Sequence, residues 1–107
     1  MHEVKLQSSH LIISASLALT VFEDAYTAYV SYKPENGVIL VSANTNSWFR
    51  KLHETKEFML KNKDLKGTKS MAIREMLIDH DIDAADRLLN FQLNEDKRYL
   101  KIDLPKT

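Results

Sequence analysis

A chain of 107 residues, 44% hydrophobic and 28% charged, is sized and composed for one compact domain and is too apolar for a disordered polymer. Cysteine is absent, which excludes disulfides, thiol catalysis and cysteine-ligated zinc. Fifteen basic side chains balance fifteen acidic ones, so net charge exerts no overall pull toward a polyanion.

Residues 3–13 read as one strand, with Val4 and Leu6 alternating with polar residues ahead of Leu11-Ile12-Ile13. Residues 15–22 suit a short helical turn or a continuation of that strand. The apolar run over residues 11–22 is cut by Ser14, Ser16 and Thr20 and followed by Glu23-Asp24, unlike a secretion signal. It is also shorter than the roughly 20 residues that span a bilayer. A cytoplasmic protein with no membrane partner is the expectation.

Residues 26–32 and 38–41 are rich in β-branched and aromatic side chains. They flank Lys33-Pro34-Glu35-Asn36-Gly37, whose chemistry predicts a tight reversal and hence a β-hairpin. Asn44-Thr45-Asn46-Ser47 offers N-caps for a helix carrying Trp48, Phe49 and Leu52 on one side. Residues 57–61 read as another strand and residues 62–69, polar and holding Gly67, as a loop. Thr68 or Ser70 is placed to cap a helix in which Ile73, Met76 and Leu77 fall at i, i+3 and i+4. Residues 88–93 and 99–102 predict a second hairpin across Asn94-Glu95-Asp96-Lys97.

The order repeats. Each half runs strand, short apolar turn or helix, then hairpin, with Ile13 to Leu17 answering Met71 to Glu75 and Val41 answering Ile102. The expected fold is therefore α+β, a single domain over residues 1–107 made of two β halves with short helices. The candidate repeats, 3–53 and 57–104, would be related by a pseudo-twofold. Exposed hairpin edges favour a homo-oligomer, with Trp48, Phe49 and Leu52 as interface candidates.

Charge is polarised along the chain. Residues 50–74 carry eight Lys/Arg against three acids, a net of +5; residues 75–96 carry seven acids against Arg87, a net of −6. Such a chain can turn a basic face to a polyanion or pair head to tail with itself. The loop over residues 61–74 is the candidate nucleic-acid surface: Lys61, Lys63, Lys66 and Lys69 supply flexible cations for phosphate, and Gly67 lets backbone approach. Sequence readout would fall to Arg74, His10 or Asn62. The aromatics Tyr26, Tyr29, Tyr32, Trp48 and Phe49 suit core or interface better than base stacking.

Other chemistries lack their signatures. Asp79-His80-Asp81-Ile82-Asp83 opens like a calcium loop, but Ala84 stands where glycine is needed and Asn90 where a bidentate glutamate belongs, so no metal is expected. His2, His10, His53 and His80 have no zinc spacing. No nucleophile elbow or glycine-rich phosphate loop occurs, so neither an enzyme nor a cofactor is expected.

The second half, Lys69-Ser70-Met71-Ala72-Ile73-Arg74-Glu75-Met76-Leu77 with Asp86-Arg87-Leu88 and Arg98-Tyr99-Leu100-Lys101-Ile102, resembles the swapped-hairpin domain of AbrB and MraZ-like transcription regulators. In the first half, His10 to Leu17 sits where those proteins have their "G-R-I-x-I-P-x-x-L" stretch, and Asn46-Ser47-Trp48 is similar to the tryptophan helix that closes the first MraZ half. The resemblance implies two swapped-hairpin halves and a DNA-binding transcription regulator. The family's Asp-x-x-x-Arg signature is incomplete: the second half keeps Asp64, Lys66, Gly67 and Lys69 without an arginine, and the first has Ser8, Ser9 and His10. Ser14 and Ala72 replace the family proline. A protein-interaction module that has lost DNA binding is the alternative expectation.

Overall fold

The computed structural model describes residues 2–105. Its strands are β1 (Val4–Gln7), β2 (His10–Ile13), β3 (Thr27–Lys33), β4 (Val38–Ala43), β5 (Lys56–Met59), β6 (Lys61–Asn62), β7 (Lys69–Ala72), β8 (Arg87–Leu88), β9 (Phe91–Asn94) and β10 (Tyr99–Asp103). Three short helices are α1 (Ala15–Phe22), α2 (Ser47–Leu52) and α3 (Arg74–Asp79). The strands form two five-stranded antiparallel sheets, ordered β6-β7-β2-β1-β8 and β5-β3-β4-β10-β9. The α+β class is as the sequence led us to expect.

Several elements differ from that reading. Residues 3–13 make a hairpin, not one strand, because Ser8 and Ser9 both adopt left-handed backbone (φ 50° and 60°) and reverse the chain. Residues 57–61 and 88–93 each divide between the two sheets. The crossings fall at Leu60, and at Leu89 and Asn90, where the Leu89 amide still bonds the Val4 carbonyl and the Asp103 amide bonds Asn90. Ser70 caps no helix; it is a buried residue of β7, and α3 starts at Arg74 with Ile73 in the cap position and no side-chain cap.

Burial follows strand alternation. One core lies between the sheets and α1, with Leu6, Leu11, Ile13 and Met71 from the first sheet meeting Val30, Ile39, Val41, Leu100 and Ile102 from the second. Leu17, Ala18, Val21 and Phe22 of α1 close it. All six residues of β4 are buried because its alternate side chains enter a second cluster, in which Phe49 of α2 covers Tyr29, Val38, Leu40 and Tyr99. Phe49 is wholly buried within its own chain, whereas Leu52 is well exposed and Trp48 partly so. The three are not equally placed: Phe49 is sunk against the sheet, Trp48 lies partly exposed over Tyr99, and Leu52 is exposed.

Candidate nucleic-acid interface

The lysine-rich segment is a hairpin turn rather than a long loop, because β6 and β7 pair with Lys61 opposite Ser70 and Asn62 opposite Lys69. Asp64 organises the turn: one carboxylate oxygen accepts the amides of Lys66 (2.9 Å) and Thr68 (3.2 Å), while the Lys63 amide donates to the Thr68 carbonyl at 2.8 Å. Hydrogen bonding from Thr68 and Lys66 holds the Asp64 carboxyl below its ordinary value. Gly67 has φ +103°, a backbone that side chains disfavour, where the turn passes within reach of Ala15 at the start of α1. The turn thus presents its cations from a fixed backbone.

Lys61, Lys63 and Lys66 are exposed, and so, completely, is Leu65. Lys69 is half-buried, its ammonium donating to Asn62 Oδ1 at 2.6 Å. These four lysines are brought together; His10 and Arg74 are not. Lys69 pairs with Ile13 at one end of β2 and Ala72 with His10 at the other, which puts His10 about 10 Å along the strand from the lysine turn. There the Ile73 amide bonds the Ser9 carbonyl, and His10 Nδ1 donates to the Ser8 carbonyl at 2.8 Å. At that end Asp86 Oδ1 accepts the Ser8 amide, and Arg87 is held by the carbonyls of Asp83 and Ala85. The lysine turn thus marks the opposite end of the first sheet.

Two further features have no local signature along the chain. On the outer face of the second sheet, Trp48 stacks on Tyr99 with centroids 6.0 Å apart, and the Lys97 ammonium lies 5.1 Å from the Trp48 ring. Nearby, burial and then the Lys33 charge lower the pKa of His53 at the end of α2. Between α3 and the β3–β5 edge runs a groove of about 740 Å³, closed at one end by Tyr32 against His80 (4.5 Å). The Tyr32 hydroxyl donates to the Leu104 carbonyl, and burial raises its pKa. Long-range pairings of this kind carry no local sequence signal.

Among the described residues no three His, Asp or Glu side chains group where they could hold a metal ion, and no helix is long and apolar enough to cross a membrane. No family model matches the chain, and no curated protein or solved structure matches it.

Proposed function

We propose that the protein is a non-catalytic, cytoplasmic DNA-binding regulator of transcription, built as two swapped-hairpin halves, that grips duplex phosphate through the β6–β7 turn. The observation that carries this reading is the turn itself: Lys61, Lys63 and Lys66 exposed around a backbone braced by Asp64, with Lys69 beside them. A braced backbone loses little freedom on meeting phosphate, and lysine positions a protein without reading bases. His10 and Arg74 would act from the far end of the same sheet.

The two-halves reading is supported by strand register. The central pairs of the sheets are β2 with β7 and β4 with β10, each joining counterparts of the candidate repeats. In both pairs the counterpart strands run antiparallel, as a twofold between the halves requires.

Fluorescence anisotropy of a labelled random-sequence duplex tests the function. Binding at low salt should weaken as salt rises, with a log–log slope near −3 to −4 if four lysines each neutralise one phosphate. Replacing Lys63, Lys66 and Lys69 with Glu should abolish it. No binding at low salt, or unchanged affinity in the triple variant, rejects the assignment.

The second reading is a protein-interaction module on the same scaffold, self-associating through Trp48 and Leu52. It is favoured by the exposure of those two side chains and by the absence of arginine from the lysine turn. Salt separates the readings: it dissociates a DNA complex in the first and leaves an oligomer joined through apolar Trp48 and Leu52 intact in the second.

A further inference from the structure

We propose that the outer face of the first sheet continues the phosphate-binding surface of the β6–β7 turn, with Lys5 as a further contact to duplex DNA; the inference rests on the DNA-binding reading above. Side chains alternate between the faces of this sheet. Leu6, Leu11, Ile13 and Met71 belong to the core between the sheets, so Lys5, Gln7, His10, Ile12, Ser70 and Ala72 point the other way. Ile12 fits this division: it is buried, yet it belongs to neither core cluster.

Register lines these side chains up in two rows. In one, Lys61, Ser70, Ile12, Lys5 and Leu88 lie opposite one another across all five strands. In the other, Ala72, His10 and Gln7 do. Lys61 is exposed at one end of the first row and leads directly into the lysine turn. Lys5, half-buried, stands three strand spacings away, about 14 Å. The charge of these strands has one sign. Among the described residues, the strands of the first sheet hold Lys5, Lys61, Lys69 and Arg87 and no Asp or Glu. The acids at the margin are Glu3, Asp64 and Asp86, and the last two accept backbone amides. The second sheet has no such bias, since Glu57 and Asp103 stand there among Lys33, Lys56 and Lys101. A sheet face with cations and no carboxylates, continuous with a lysine turn, is complementary to a polyanion. Arg87 lies opposite Leu6 and so faces away from it, which leaves lysine to position the duplex by its phosphates.

The test is anisotropy of a labelled random-sequence duplex, titrated across a range of salt, on three proteins. These are wild type, Lys5→Gln and, as control, Lys101→Gln, which lies opposite Leu40 on the outer face of the second sheet. A phosphate contact beyond the four lysines of the turn steepens the log–log slope to about −4.5. Lys5→Gln should reduce its magnitude by about 1 and weaken low-salt binding several-fold, and Lys101→Gln should change neither. In the wild-type protein, amide resonances of Lys5, Gln7 and Ser70 should shift on adding duplex, along with those of the turn, while β9 stays unmoved. No binding at low salt removes the DNA-binding reading and this inference together. Binding with an unchanged slope in Lys5→Gln, an equal loss in Lys101→Gln, or shifts confined to the turn overturns this inference alone. So does a wild-type dimer that Lys5→Gln converts to monomer in sedimentation, which makes a second copy the occupant of the face.

Discussion

Glu23 and Arg98 stand far apart in sequence, yet both have left-handed backbone, with φ of 53° and 56°, and their side chains meet in an ion pair. Glu23, at ψ −115°, occupies the second position of a turn closed by the Ala25 amide on the Phe22 carbonyl. Glycine is at home in that conformation, and a side chain there costs on the order of 1–3 kcal/mol. The ion pair, at 63% and 56% side-chain exposure, contributes at most about 1 kcal/mol. Strain outweighs the pair, so Glu23→Gly should raise the urea midpoint by about 1 kcal/mol of stability with an unchanged m-value. Glu23→Ala, which loses the pair and keeps the strain, should lower it slightly. A Glu23→Gly protein no more stable than wild type would show that the backbone there is unstrained.

At the scale of elements, α2 separates packing from surface. Asn46 caps it, accepting the Phe49 amide at 3.1 Å, and the cap turns Phe49 onto the second sheet. Phe49→Ala should cost about 3–5 kcal/mol in denaturant unfolding. Leu52→Ala should stay within about 0.5 kcal/mol, and would change the sedimentation coefficient only if this face joins copies. Comparable losses from both would refute this division of the helix. The Asn46 cap and the β3–β4 hairpin were legible in the sequence because Asn46 and Pro34 to Gly37 act locally. The β1–β2 reversal was not, since Ser8-Ser9 is an unusual pair for two left-handed positions. Nor were the crossings at Leu60 and Leu89: a buried leucine has the same sequence signature whichever sheet receives its neighbours. Of the candidate site, the lysine cluster could be read from spacing. Its separation from His10 and Arg74 could not, because it depends on the β2–β7 register.

Across the whole molecule, those crossings stitch the two sheets together. Neither sheet is a continuous stretch of chain: β1, β2 and β6 to β8 make one, and β3 to β5, β9 and β10 the other. Unfolding either removes partners from the other, so a single cooperative transition is expected. Trp48, the only tryptophan, reports the outer face of the second sheet, and far-ultraviolet circular dichroism reports both. Their urea transitions should coincide; a Trp48 transition clearly preceding the dichroism change would show that the α2 face melts alone. The lysine turn acts at this scale too. It gathers four lysines against Asp64 at one end of the first sheet, and a chain of zero formal charge carries the balancing negative charge elsewhere, which gives the molecule an electric dipole moment. In a non-uniform field such a particle is turned before it is drawn in. Near a polyanion, within about a Debye length of 8–10 Å at physiological salt, it would rotate to lead with the β6–β7 turn, so orientation rather than net attraction would govern the encounter.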